Sequence, residues 1–439
     1  VPFIANTDAD RKAMLDAIGK SSVEELFADI PEKRRFPELK LPEGKSEQEV
    51  LRELADLASR NLTPERKAWF LGAGAYNHFI PAVVPALASR GEFLTAYTPY
   101  QPEVAQGTLQ SIFEYQSMAA ELLGVPVVNA SHYDVATALA EGIIMALKNY
   151  SDRTEVLLPR DLHPEYKKVV ELYLEPFKVE LREYVGAPEV APVSDKTACL
   201  VASYPTFTGE VYPLAKAAEA AHSVGALFIV QADPMMCALF KSPGAQGADI
   251  VAAEGQCLGN PMNFGGPFLG MLGTTTQLMR KIPGRLVGQT KDSADRRGFV
   301  LTLSTREQHI RREKAVSNIC SNQGLTMLQT CIYLAAMGKN GMRTVASLCY
   351  DKAHYAAELI NGTPGYKVQT NSFFKEFLIS TPIAAEEIFD RLVKRGFVPG
   401  LPVSRYDASK PNELLVCVTE VNTKSEIDSL AQLLKEVAQ

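Results

Sequence analysis

The chain has 439 residues, 46% hydrophobic and 22% charged, with a net charge of −6; it can bury a large core over two or three domains, and its acidic balance excludes a general nucleic-acid binder. No uncharged apolar run reaches membrane-spanning length, and the opening Val1-Pro2-Phe3-Ile4 lacks the basic-then-apolar pattern of a secretory signal. Seven dispersed cysteines, with no Cys-x-x-Cys pair and no His/Cys cluster of metal spacing, read as reduced core residues of a cytoplasmic protein without a metal site.

Residues 1–60 predict an amphipathic helical arm. Asn6-Thr7-Asp8 can cap a helix through Ile18, and Ser21 or Ser22 ahead of Glu24-Glu25 can start another. Pro31, Pro37 and Pro42 mark an extended link, after which Ser46 caps Glu47 to Leu57, with leucines 51, 54 and 57 on one face. No catalytic constellation falls here; such an arm packs on the body or on a partner chain. Gly72 to Asn77 is a tight turn and only a weak match to a phosphate loop, because no clear strand precedes it and no lysine follows. Tyr97-Thr98-Pro99-Tyr100-Gln101-Pro102-Glu103 is stiffened by two prolines. It presents two phenols and an amide, and on residue grounds alone it reads as a connector.

A helix is expected over Gly107–Leu123, then strand–helix alternation from Val125. Strands fall at 125–128, 155–158, 178–184, 198–203, 226–230, 249–253 and 268–272, and helices at 135–148, 164–173, 214–224 and 275–281. This pattern predicts an α/β fold with a mainly parallel, doubly wound sheet, over a large domain at 61–330. Asn129-Ala130-Ser131-His132-Tyr133-Asp134 leads into the helix at 135. A carboxylate in the first turn compensates the helix dipole and would repel a phosphate, so capping is the expected role of Asp134. Functional residues of such a sheet gather at the strands' carboxyl ends. Asp233 stands at one, though an ordinary turn aspartate reads the same. The loop Glu254–Asn263 holds Glu254, Gln256 and Cys257 but no lysine, histidine or serine.

Gly284–Gly298 reads as a charged loop, Val300–Ser304 as a short strand, and Thr305 to Lys314 as a helix start with a solvated, mixed-charge face. Helices at 324–338 and 344–361 follow. Strands at 373–380 and 414–418 then alternate with helices at 384–396 and 424–437, giving a small C-terminal α+β domain at 331–439.

Four motifs carry a family resemblance: Tyr97-Thr-Pro-Tyr-Gln-Pro-Glu103, Asn129-Ala-Ser131, Phe264-Gly-Gly-Pro267 and Thr305-Arg-Glu-Gln-His-Ile-Arg-Arg312. With the turn Gly72–Asn77 and the run Asn318-Ile-Cys320, they resemble glycine decarboxylase, the P-protein of the glycine cleavage system, and specifically its N-terminal half. The resemblance covers nearly the whole chain. It implies a fold-type-I pyridoxal-phosphate transferase-like architecture with an N-terminal arm. One form of that family is a long chain of two homologous halves; another splits them between two subunits of an α2β2 tetramer. The present length is that of one half, which implies the α subunit, partnered by a glycine decarboxylase β subunit. The implied reaction is decarboxylation of glycine on pyridoxal phosphate, with transfer of the aminomethyl group to the lipoyl arm of H-protein.

The same resemblance exposes a gap. Fold-type-I enzymes hold their cofactor through a lysine a short way past the aspartate that meets the pyridine ring. Cys257, 24 positions after Asp233, occupies that place, and neither Lys241, in a turn before Pro243, nor Lys281, at a predicted helix end, fits. The resemblance therefore implies no catalytic residue in this chain, a vacant cradle, and pyridoxal phosphate bound by the β subunit. Sites of this class borrow residues across a dimer interface. By position, Tyr97, Tyr100, Gln101, Thr305, Arg306 and Gln308 are the residues expected to reach the β-subunit cofactor, with His309 and His132 as weaker candidates. Two alternatives stand beside this: a non-catalytic scaffold or regulatory subunit that binds H-protein, and an independent pyridoxal enzyme using an unexpected lysine.

Overall fold

The computed structural model describes residues 5–35, 37–150, 152–315, 317, 319 and 322–437. Asn318 and Cys320, part of one run quoted above, lie outside the described residues. The chain divides into two units, Val1–Leu62 and Thr63–Gln439.

In the first unit, α1 (Asp8–Ala17) and α2 (Glu47–Ala58) both start with capping boxes. The Thr7 and Ser46 hydroxyls accept from the backbone N–H three residues on, while Asp10 and Glu49 reach back, as the spacing dictates. Between them Glu24–Phe27 forms only one tight turn. Neither helix has a buried residue, and Leu51, Leu54 and Leu57 are exposed.

In the second unit, after the short strand Ala68–Trp69 and the short helices Val83–Ala88 and Gly91–Leu94, comes α3 (Gln106–Leu123), closed by Gly124 in the left-handed region. Then come β1 (Val127–Val128), α4 (Val135–Leu147), β2 (Glu155–Pro159), α5 (Pro164–Leu174), β3 (Glu180–Tyr184), β4 (Thr197–Tyr204), α6 (Ala215–Ser223), β5 (Leu227–Ala232), β6 (Ile250–Glu254) and β7 (Gly270–Thr274). The seven strands form one sheet in the order β1-β7-β6-β5-β4-β2-β3. β7 runs antiparallel to β6 and to β1, and the remaining pairs are parallel. Every residue of β2, β4, β6 and β7 is buried, as a sheet covered on both faces requires. Alternate residues feed two cores: Leu200, Phe228, Val251 and Met271 on the α3 side, and Cys199, Ile229, Ile250 and Leu272 on the α4 side.

Two expectations fail beyond this sheet. The helix predicted at 275–281 is a single turn, Thr276–Leu278, because Pro283 and Gly284 (φ +78°) turn the chain immediately afterwards. The charged loop predicted at 284–298 is instead mostly an antiparallel hairpin, β8 (Leu286–Lys291) against β9 (Arg297–Thr302), in register Leu286↔Thr302. Its charges hid it: they crowd the exposed tip, where the Asp292 carboxylate accepts from Ala294 N, Arg296 N and Arg296 Nε. Leu286, Val287 and Phe299 are buried at the base, and Leu301 packs against the core beside them.

The two helices predicted at 324–338 and 344–361 run on as α7 (Gly324–Asn361), broken at Gly338 (φ +57°). A four-stranded antiparallel sheet follows, in the order β10 (Lys367–Val368), β11 (Glu376–Ser380), β13 (Glu413–Cys417), β12 (Leu401–Pro402). Helices α8 (Ala385–Lys394) and α9 (Lys424–Val437) pack on it around Phe377, Ile379, Ile388, Leu392, Val416 and Leu430. Among the described residues no helix is long and apolar enough to cross a membrane.

Candidate functional site

The carboxyl ends of β4, β5 and β6 lie side by side, and Asp233 follows β5 directly. A crevice there, lined by Tyr76, His163, Tyr166, Gln231, Asp233, Glu254 and Glu376, is where an open α/β sheet receives a ligand. Little of it is free: the cavity measures about 40 Å³, room for two or three waters.

Asp233 is buried and already engaged. Its Oδ2 lies 2.8 Å from the Nζ of Lys375, and its Oδ1 accepts from Met235 N at 2.9 Å. Lys375 is itself 1% exposed. Its ammonium sits 3.6 Å above the Tyr76 ring and donates to His78 Nε2 at 3.1 Å. Burial opposes the charge on Lys375, but Asp233 outweighs it and holds the group above its ordinary pKa. Because His78 Nε2 accepts from Lys375, Nδ1 carries the proton and donates to Glu420 Oε2 at 2.7 Å. Burial works against the Glu420 charge, yet the hydrogen bonds from His78 Nδ1 and Phe79 N hold it below the ordinary carboxylate range. Cys349 completes this chain of contacts, with Sγ 3.3 Å from Glu420 Oε2.

Cys257 lies beside Asp233, its Sγ 3.9 Å from Oδ1 and 3.7 Å from Glu254 O. Burial pushes the thiol far up, which disfavours the reactive thiolate. Gln256 clamps backbone: its Oε1 accepts from Tyr76 N at 2.8 Å, and its Nε2 donates to Tyr76 O and Asn260 O. The glycine turn at 72–77 therefore forms one wall of the crevice. Gly72 is needed there because any Cβ would collide with Glu376 Oε1. Glu376 accepts from Ala73 N and Tyr76 OH, and burial raises it to about 7.

Asp134 caps α4 as expected, accepting from Thr137 N at 2.8 Å. The first N–H of α4, at Val135, donates to Glu254 Oε2 at 3.1 Å. Glu254 Oε1 accepts from Gln256 N and Leu269 N. Burial raises Glu254 to about 8, against the pull of these three donors. Asn129 and Ser131 are spent elsewhere, donating to Pro283 O and accepting from Gln323 N. His132 is buried, and its pKa falls to about 3 for that reason.

The two segments singled out as reaching a neighbour come together at the surface. The Tyr100 ring meets His309 edge-on at 5.3 Å, and the Tyr100 hydroxyl lies 3.2 Å from Arg285 Nη2. Tyr97 is 87% exposed and Tyr100 46%; Gln101, Thr305, Gln308 and His309 are exposed as well. An apolar groove lined by Leu94, Tyr97, Pro99, Ile112, Leu325 and Leu328 runs alongside. Arg306 departs from expectation. Its guanidinium turns inward and donates to the carbonyls of Ile282, Gly284 and Leu303. Within this chain it closes the turn at 282–284, because three carbonyls left unpaired there would cost more than an exposed charge gains.

Lys375, Glu420 and His78 were missed in the sequence. The one legible signal was a Lys-Glu pair inside the apolar run Phe373-Phe374-Lys375-Glu376-Phe377, a place where burial demands partners.

This architecture is that of the fold-type-I pyridoxal-phosphate enzymes. Sphingosine-1-phosphate lyase of Burkholderia pseudomallei shares the fold, at TM-score 0.64 and 16% identity over 93% of this chain and 94% of that one. The chain belongs to the glycine cleavage system P-protein family, whose model matches residues 2–434. It is 47% identical over 444 residues to the probable glycine dehydrogenase (decarboxylating) subunit 1 of Thermomicrobium roseum, with 99% of each chain covered. It also superposes on an inhibitor-bound crystal structure of glycine decarboxylase (P-protein), at TM-score 0.91 and 44% identity over 99% of both chains.

The crevice does not fit the cofactor of this fold. No lysine stands at position 257, Asp233 is already neutralised by Lys375, and the first N–H of α4 is already taken by Glu254. The Lys375 amine is committed to Asp233 and His78, whereas imine formation needs a free neutral amine.

Proposed function

We propose that this chain is the lysine-less α subunit of a glycine dehydrogenase (decarboxylating). It completes the active site of a β subunit that binds pyridoxal phosphate. The observation that carries the reading is the closed crevice: with Cys257 at the lysine position and Asp233 paired to Lys375, catalysis falls to a partner. The relatives' designation as subunit 1 supports a partner of this kind. In the β subunit the cofactor would supply the electron sink for loss of CO2. The contribution of this chain is to orient and to exclude water. The exposed hydroxyls of Tyr97, Tyr100 and Thr305 and the amides of Gln101 and Gln308 are donors suited to an anionic phosphate. Arg306 holds their segment in place from within. The assembly is α2β2 and cytoplasmic, serves glycine catabolism, and delivers the aminomethyl group to lipoylated H-protein.

Reconstitution tests this. Glycine decarboxylation should appear only when both subunits are mixed, and full activity from the β subunit alone would sink the reading. Cys257→Lys alone should create no activity, because Lys375 still holds Asp233 and Glu254 still takes the first N–H of α4. The inward turn of Arg306 favours a second reading, a scaffold or regulatory subunit that binds H-protein without entering the site. Unchanged kinetics in a Tyr97→Ala/Tyr100→Ala variant that still assembles would favour that one.

A further inference from the structure

The crevice is filled in a patterned way. A ligand binding at the carboxyl ends of an open α/β sheet meets two fixed charges: the carboxylate after the central strand and the positive end of the helix opposite. In this chain both are met by its own side chains. The Lys375 ammonium lies 2.8 Å from Asp233 Oδ2 and faces the Tyr76 ring. The Glu254 carboxyl accepts from the first N–H of α4 and from two further backbone N–H groups. Asp233, Glu254 and Tyr76 line one small cavity, and the buried Lys375 reaches it through Asp233 and the Tyr76 ring.

We infer that Lys375 and Glu254 are built-in occupants of the cradle: an ammonium on the cation seat and a carboxyl on the anion seat, together excluding pyridoxal phosphate. This rests on the reading that the chain's own cradle takes no cofactor, and it says which residues close it. It also gives the closure a structural task. Lys375 immediately precedes β11 of the antiparallel sheet, whereas Asp233 immediately follows β5 of the large one. The pair therefore pins the two sheets together without a ligand. The contacts from Lys375 to His78 and from His78 to Glu420 extend that pin to the segment before α3 and to the loop before α9. Removing one member of such a buried pair strands a charge, whereas removing both does not.

The test uses the full-length chain without its partner, with pyridoxal phosphate as the probe in equilibrium dialysis against phosphate-free buffer. Lys375→Met, Glu254→Ser and the double variant vacate the seats. The double variant should bind pyridoxal phosphate roughly tenfold or more tightly than the parent, because the cradle no longer spends most of its time occupied by its own side chains. Adding Asp233→Asn should abolish the gain. Thermal midpoints provide the second readout: Lys375→Met should melt well below the parent, and Asp233→Asn/Lys375→Met should recover most of the loss. A folded double variant that binds no more tightly than the parent overturns the inference, as does additivity of the two midpoint shifts. Neither result touches the reconstitution assay. A parent chain that itself retains pyridoxal phosphate, or forms a borohydride-trappable imine with it, overturns the inference and the vacant-cradle reading together.

Discussion

The crevice behind β5 and the surface around Tyr100 are both rich in polar and aromatic side chains, yet they are built on opposite plans. In the crevice the ionisable groups named above are buried and answer other groups of the same chain: Lys375 with Asp233, His78 with Glu420, Glu254 with three backbone N–H groups. At the surface Tyr97, Gln101, Thr305 and Gln308 are exposed. The first plan spends its hydrogen-bonding capacity internally and yields rigidity. The second keeps that capacity for something outside. On the proposed reading, the cluster that resembles an active site by position holds the fold, and the proline-stiffened connector serves the partner.

The comparison breaks most sharply at Lys375. Lys375→Ala leaves Asp233 buried and unpaired, and should cost about 3–5 kcal/mol of stability in chemical denaturation. A loss below ~1 kcal/mol would mean the crevice is not held by this pair. The pH dependence sharpens the same point. Burial raises Glu254 from an ordinary 4.5 to about 8 and Glu376 to about 7, so the fold prefers both protonated. Their stabilisation is complete below pH 4.5 and is lost as pH rises through the folded values. The contribution of these two groups should therefore fall between pH 4.5 and about 8, by at most ~1.4 kcal/mol per pH unit for each, read as the difference in slope between parent and variant. Glu254→Gln should flatten that slope; an unchanged slope would remove Glu254 from the account.

Substitutions at the surface should behave in the reverse manner. Tyr97→Ala and Tyr100→Ala should leave the stability of the isolated chain within about 0.5 kcal/mol. Each should lower decarboxylation by the assembled enzyme about tenfold, a barrier change of roughly 1.4 kcal/mol, as read in steady-state kinetics with both subunits present. The smallest effect belongs to Asp134. Its replacement by Ala removes a helix cap and should cost about 1 kcal/mol in denaturation, without opening the crevice to pyridoxal phosphate.

Local rules carried much of the fold. Strand–helix alternation located the strands of the large sheet, the Thr7 and Ser46 capping boxes started α1 and α2 where expected, and Asp134 capped α4 rather than leaving its end to an anion. The hairpin at 286–302 escaped, because its tip is charged and its apolar anchors are few and confined to the base. Arg306 escaped because nothing near it in sequence foretells three carbonyls converging from the turn at 282–284 and from Leu303.

What the sequence determined by itself was the order of elements and the absence of a lysine at position 257, since both depend on residue types at short range. What only the tertiary structure decided was how the resulting gap is filled. Lys375 and His78 stand 297 positions apart, and they meet because two separate sheets close over the same aspartate. A buried charge must find its partner in space, and that partner cannot be read from its neighbours along the chain.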